Sequence, residues 1–357
     1  MTAILADARR ATLAGDWATA ESLLRLALAD LPQDHEARLE LGELLERRGE
    51  HDAALIQYAR ALQDAQALGL WMNRDSTPGP LQPRVEHAVV WVRDRRRAAI
   101  AALLDPLAAK YGAKALRRIE RCLRIYFGEE AAPYLDARQQ PTFLYVPEVA
   151  PATYFNRAMF RWIDALEEQT DAIRTELQAL LPTAASRERV FDSDELEAQN
   201  LRGQNAAPSW NGYYFFRHGE RRQDNCDACP ATAAALDALP LSRIRDHGPE
   251  VLFSVFTAGT HLLPHRGVTN ARLVAHLPLI VPRDCALRVA GEDHVWREGE
   301  VVVFDDTYEH EAWNRSDAIR VVLIFDIWNP LLTDVERAAL TELIPSFGDF
   351  RHALEQA

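Results

Sequence analysis

Four histidines fall where metal chemistry would need them. Of the 11 in the chain, His35, His51, His87 and His352 read as water-facing helix positions. His261, His265, His276 and His310 instead lie within or beside segments of strand composition. His261-Leu262-Leu263-Pro264-His265 has the spacing that aligns two imidazoles on a helix. Pro264, with Gly259 and Gly267 nearby, predicts a loop there, so a helical zinc pair is not expected. Another arrangement holds ferrous ion with two histidines and one carboxylate on one face, leaving the remaining positions open. The acid then lies two residues after the first histidine. Here His265-Arg266-Gly267 puts glycine at that place, and no Asp or Glu occurs between Glu250 and Asp284. Taken alone, that gap weighs against iron.

The residues further along fit better. His310 follows the apolar run ending at Phe304, and ten positions later Arg320 opens Arg320-Val321-Val322-Leu323-Ile324-Phe325-Asp326. A planar guanidinium there can clamp the distal carboxylate of 2-oxoglutarate through two parallel hydrogen bonds, which a lysine cannot do. The plainer alternative is an ion pair with Asp326 on the same strand face.

These residues need strands to hold them. Tyr213–Arg217, Val251–Thr257, Arg272–Leu279, Cys285–Val289, Glu300–Phe304 and Arg320–Ile327 read as short strands separated by turn residues. Their spacing, without helices between, predicts an antiparallel sandwich or barrel, with a double-stranded β-helix (jelly roll) as the single best architecture. One helix is expected before them, over Phe160–Leu181. The amino-terminal part differs. Gly15, Ala20 and Ala27 recur 34 positions later as Gly49, Ala54 and Ala61, Leu24 is answered by Tyr58, and Leu41-Gly42 has a weaker counterpart in Asp7-Ala8. This pattern resembles two tetratricopeptide repeats, which would present a concave surface to a partner peptide or only pack and dimerise. Pro78, Pro80 and Pro83 mark a boundary. The expected organisation is α+β multidomain: helical repeats over 1–74, a linker and helical connector over 75–136, the jelly roll over 137–332 and a helical tail over 333–357.

Quoted together, Gly259–Gly267 with Asn270 and Arg272, His276-Leu277-Pro278-Leu279, Trp296–Glu300, and Phe304–Trp313 with Arg320 and Asp326–Pro330 resemble the aspartyl/asparaginyl β-hydroxylase family. Trp210, Gly219-Glu220-Arg221 and Cys229–Thr232 follow the family order, and the likeness runs over about 141–330. A His-x-Gly in place of His-x-Asp is itself a trait of that family. The resemblance implies an Fe(II)- and 2-oxoglutarate-dependent dioxygenase that uses O2 and releases succinate and CO2. His265 and His310 would be its metal ligands and catalytic centre, with water where a carboxylate stands elsewhere. It further implies that Ser254, His276 and Arg320 bind 2-oxoglutarate, with Trp210 lining the pocket. Arg272 would meet substrate, and Asp306 would sit behind the ligands and orient one of them or a bound water. Known members act on Asp or Asn in peptides, and relatives on other amino-acid or acyl substrates. The best-known members carry a second substrate-gripping arginine where this chain has Val274.

Composition sets outer bounds. The 357 residues hold 40 Lys+Arg against 53 Asp+Glu, a net charge of −13 that argues against a nucleic-acid partner. No apolar run suggests a membrane span, and the first residues do not read as a signal peptide, so a cytoplasmic protein is expected. Cys226-x-x-Cys229 lacks a second pair and reads as a surface loop with two free thiols. Two rival readings are a non-catalytic repeat scaffold with a degenerate jelly roll and a cupin-like metalloenzyme that needs no keto acid.

Overall fold

The computed structural model describes residues 2–181, 188–191, 193–203 and 208–357. The chain forms two compact units, one of Met1–Asp105 with Ser346–Ala357 and one of Pro106–Pro345.

The first unit is helical: α1 (Thr2–Ala14), α2 (Trp17–Asp30), α3 (His35–Arg47), α4 (His51–Ala67) and α5 (Gln82–Ala102). Asp16 and Asp34 start α2 and α3 by accepting from the Thr19 and Ala37 amides, which would otherwise lack partners. The 34-residue offset has a structural counterpart. Gly15 and Gly49 both take positive φ, +76° and +80°, at the turns inside the two helical hairpins. Ala20, Ala27, Ala54 and Ala61 are completely buried where helices approach, and Leu24 and Tyr58 fill the space beside them. Gly42 lies under the Tyr58 ring, so a Cβ there would come within 2.6 Å of it. Phe350 and Leu354 pack on the α4–α5 core, and Arg60 and Arg38 donate to the carbonyls of Leu354 and Ala357.

In the second unit, α6 (Asp105–Tyr111), α7 (Arg117–Tyr126), α8 (Ile163–Glu167), α9 (Thr170–Leu180), α10 (Asp194–Asn200), α11 (Gln223–Ala228) and α12 (Pro230–Asp237) accompany two antiparallel sheets, and α13 (Asp334–Glu355) follows them, its residues from Ser346 on belonging to the first unit. The strands are β1 (Glu188–Arg189), β2 (Leu201–Gly203), β3 (Trp210–Arg217), β4 (Glu220–Arg221), β5 (Val251–Phe256), β6 (Thr260–His265), β7 (Arg272–Ile280), β8 (Cys285–Val289), β9 (Glu292–His294), β10 (Val302–Phe304), β11 (His310–Asn314) and β12 (Arg320–Trp328). One sheet runs β1-β3-β5-β12-β7-β10 with β4 beside β3, the other β2-β6-β11-β8-β9. Alternation divides each strand of the larger sheet between two cores. Leu273, Ala275, Leu277, Val321, Leu323 and Phe325 face α8, α9 and α12. Phe256, Val302, Phe304 and Val322 face Leu262, Leu287, Val289 and Ala312 of the smaller sheet.

Four expectations are corrected. Thr260–His265 is a strand, not a loop; its pairing with β11 shifts register between His310 and Ala312, and this irregularity accommodates Pro264, which has no N–H to give the ladder. The helix expected over Phe160–Leu181 is split, with Thr170 Oγ1 donating to the Glu167 carbonyl at the break. Helices α11 and α12 do stand between strands. They carry Cys226 and Cys229, which are free and buried rather than in a surface loop.

Candidate active site

Strand pairing brings the two site histidines together. His265 ends β6, His310 begins β11, and they are direct cross-strand partners with ring centroids 4.0 Å apart. His265 Nδ1 lies 2.8 Å from the Leu263 carbonyl and His310 Nδ1 3.0 Å from the Tyr308 carbonyl. A carbonyl only accepts, so each ring carries its proton on Nδ1 and keeps a bare Nε2. Burial lowers the pKa of both rings, that of His310 to about 3 with help from the neighbouring imidazole. Two neutral imidazoles with free Nε2 lone pairs are what a divalent cation requires. Among the described residues no group of three or more His, Cys, Asp or Glu side chains converges as a metal set.

Position 267 explains why no acid joins them. A Cβ built on Gly267 would lie 2.1 Å from Cγ of Asp306, whose carboxyl occupies the space that a side chain there would enter. The Gly267 amide also donates to the Asp306 carbonyl at 2.6 Å. Asp306 Oδ1 is buried without a hydrogen-bond partner among the described residues, and burial pushes this carboxyl up to about 7 against the pull of Arg272. Segment 139–146 straps the same loop in place. Gln139 Nε2 donates to Asp305 at 2.6 Å, Thr142 N to Gly267 O at 3.0 Å, and Val146 N to Asn270 Oδ1 at 2.8 Å.

Arg320 begins β12 on the face shared by Ser254 and His276, and it is almost wholly buried. Its expected alternative partner, Asp326, is engaged elsewhere: it accepts from Arg272 and from the Glu250 amide. Among the described residues Arg320 hydrogen-bonds only to Ser254, its Nη1 lying 3.3 Å from Oγ and 3.4 Å from O, while Nε has no partner. The rings of Phe256, at 3.7 Å from the guanidinium carbon to the centroid, and Trp296, at 4.9 Å, flank it. Desolvation pushes its pKa down to about 9. Two further orphaned polar atoms sit beside it, His276 Nδ1 and Trp296 Nε1, with the ring centroids 5.8 Å apart. The His276 ring, held well below its ordinary pKa by burial and by Arg320, is neutral. Trp210 Nε1 donates to Ser254 Oγ at 2.9 Å, which leaves the serine proton free for another acceptor. Phe304 links the two halves, 5.1 Å from His276 and 5.6 Å from His310.

The structure therefore brings together His265, His310, Phe304 and Asp306 at one place, and Trp210, Ser254, His276 and Arg320 at an adjoining one. Arg272 is not a free guanidinium: it is ion-paired with Asp326 and lies 3.8 Å from Asp306. Sequence reasoning gave Trp296 no role at the site, although Trp296-Arg297-Glu298-Gly299-Glu300 is among the segments that carry the family resemblance.

Comparison with known proteins agrees with this arrangement. Residues 167–330 match the family model described as aspartyl/asparaginyl beta-hydroxylase. The human aspartyl/asparaginyl beta-hydroxylase is 36% identical over 145 residues, 40% of this chain and 19% of that protein. The Rhizobium tropici ornithine lipid ester-linked acyl 2-hydroxylase is 35% identical over 180 residues, 50% of this chain and 60% of that one. A mouse aspartate beta-hydroxylase domain-containing protein 1 is 27% identical over 338 residues, covering 91% and 92%. The chain thus spans about a fifth of the human relative and three-fifths of the rhizobial one.

Proposed function

Residues 167–330 are a domain of the aspartyl/asparaginyl β-hydroxylase family, and from that premise we propose that the chain is an Fe(II)- and 2-oxoglutarate-dependent hydroxylase built on a double-stranded β-helix. Two antiparallel sheets enclosing one core support the architecture, and the 34-residue offset supports tetratricopeptide-like repeats before it.

The residues suit both absent groups. Two bare Nε2 atoms suit a ferrous ion, and an uncompensated buried guanidinium beside a free serine proton suits a dicarboxylate. Bound iron with 2-oxoglutarate would supply oxygen activation, one atom of O2 passing to the product hydroxyl and the other to succinate as CO2 leaves. The protein's share is placement. His265 and His310 would hold the ion; the carbonyls of Leu263 and Tyr308 fix their tautomers. Arg320 and the Ser254 hydroxyl would take the distal carboxylate of the keto acid. Trp210 orients that serine, and His276 with Trp296 would supply polar contacts in an otherwise apolar wall. Asp306, held against Gly267, would orient a water where a carboxylate ligand stands in other oxygenases. The substrate would be an aspartyl or asparaginyl residue, as the human relative's name states for that protein, or an acyl group, as the rhizobial relative's name states for its own.

The observation that carries this reading is Arg320: a buried cation with no carboxylate partner among the described residues, next to paired neutral imidazoles. A non-catalytic scaffold has no use for such a cost. Anaerobic titration with Fe(II) and then 2-oxoglutarate tests it. The wild type should develop the weak visible charge-transfer band of a chelated keto acid, and His310→Ala should lose both the band and most of the metal affinity. A wild type that binds neither, or a variant that retains both, refutes the proposal.

A further inference from the structure

The register shift between β6 and β11 decides how His265 meets His310. Leu262 stands opposite Ala312 and His265 opposite His310, so Leu263 and Pro264 together oppose the single residue Glu311. Without that extra residue, strand alternation would send Leu262 and His265 to opposite faces of the sheet. With it, the His265 ring joins Leu262 and Ala312 on the inner face, beside His310. The same step leaves the Leu263 carbonyl outside the ladder, where it accepts from His265 Nδ1 at 2.8 Å. Backbone pairing does little to hold the step. Pro264 has no N–H, and on the other flank β2 pairs only with Thr260, His261 and Leu262 among the described residues.

Side chains on the outer face of the smaller sheet span it instead. His261 lies just before the bulge, and its Nε2 is 2.7 Å from Oε2 of Glu311, the residue that opposes the bulge. A carboxylate only accepts, so the ring donates. Glu311 is engaged from β8 as well, where Arg288 Nη1 donates to its Oε1 at 3.1 Å, and Arg288 is itself paired with Asp293 on β9. The His261 ring also stands edge-on to its cross-strand neighbour Trp313, with the centroids 6.1 Å apart. A chain of polar side chains thus crosses four strands where the ladder of β6 and β11 slips.

We propose that His261 is a positioning residue for the metal pair: its bond to Glu311 holds the bulge, and the bulge sets His265 against His310 and fixes its tautomer. This rests on the proposed function and extends it to a residue on the opposite face of the sheet from the pair. With two imidazoles as the protein's donors, half of the grip on the ion would pass through His265. Such donors must be held within about 0.5 Å of their working place.

Titration of the metal-free full chain with Co(II), read by the cobalt absorption bands, and nitrogen NMR of its histidine rings test this together. His261→Phe keeps a ring against Trp313 but cannot donate, and should weaken Co(II) binding at least about tenfold. In that variant without metal, His265 should lose its single Nδ1–H tautomer while His310, bonded to the Tyr308 carbonyl, keeps it. Glu311→Leu breaks the same bond from β11; it should match His261→Phe and carries the test if that variant does not fold. His261→Gln, which can still donate to Glu311, should recover most of the affinity. Arg288→Met leaves the bond across the bulge in place and should weaken Co(II) far less. Wild-type affinity in His261→Phe, no recovery in His261→Gln, an equal loss in Arg288→Met, or an unmoved His265 tautomer makes the contact merely structural and overturns the inference, leaving the hydroxylase reading standing. A wild type that does not bind Co(II) overturns both.

Discussion

Replacing Arg320 by methionine should make the ligand-free protein more stable and deaf to 2-oxoglutarate. Burial pushes the guanidinium down to about 9, which corresponds to a native-state cost on the order of 5 kcal/mol. Stacking on Phe256 and Trp296 and bonds to Ser254 offset part of it, but no carboxylate among the described residues does. A neutral side chain of similar length should therefore gain about 1–4 kcal/mol, as when buried charges give way to apolar groups. For a unit of this size that raises Tm by at least about 2 °C. In the wild type, 2-oxoglutarate at 100 times its Kd adds about 2.7 kcal/mol. Losing the charge-assisted pair costs about 2–5 kcal/mol of affinity, so the same concentration should stabilise the variant by less than about 1 kcal/mol. Scanning calorimetry of the Mn(II)-loaded proteins, with and without the keto acid, reads both signs. A variant that melts earlier when ligand-free yet still rises with 2-oxoglutarate would show that Arg320 is a structural residue and that the reasoning from its missing partner is wrong.

Gly267→Ala should cost about 1–3 kcal/mol, since its Cβ meets the Asp306 carboxyl at 2.1 Å; urea unfolding of the variant, and of Gly267→Ala with Asp306→Gly, should show the double change recovering much of that loss. Arg272→Ala leaves Asp326 buried without its cation, and a loss of about 3–5 kcal/mol is expected, whereas Arg272→Ala with Asp326→Leu should lie closer to wild type. In the helical unit, Gly42→Ala drives a methyl to within 2.6 Å of Tyr58 and should cost about 1–3 kcal/mol despite the better helix former, seen as faster amide exchange in α3 and α4.

Much of this architecture can be read from residue order. The strands of the larger sheet are blocks of β-branched and aromatic residues that alternate between two cores, and both faces are apolar enough to announce them. The facing of His265 and His310 is less legible: residue order predicts a loop at the first and no strand at the second, and only the family resemblance joins them, whereas β6 and β11 make them cross-strand partners. Legibility fails where tertiary contacts decide. Pro264 argues locally for a loop, yet an irregularity against β11 absorbs it. The Asp326 alternative for Arg320 looked sound along a single strand, but Asp326 turns instead to Arg272 on the neighbouring one, a choice that only register reveals. Cys226 and Cys229 look like loop residues beside Pro230, but that proline opens α12 and tucks both thiols into the core. The acid missing after His265 was sought along the chain, whereas the nearest carboxyl comes from position 306, against the glycine itself.

The carbonyls of Leu263 and Tyr308 have one more effect. Because they fix both rings through the chain's own backbone, the proposed metal pair would need no ion to set its shape. Swapping one divalent ion for another would then ask nothing of the backbone, since two nitrogen donors completed by water discriminate little among first-row metals. Under the proposed function, the ion bound would then follow what the surroundings supply, and a preparation holding manganese, cobalt or nickel would mimic the proposed iron form.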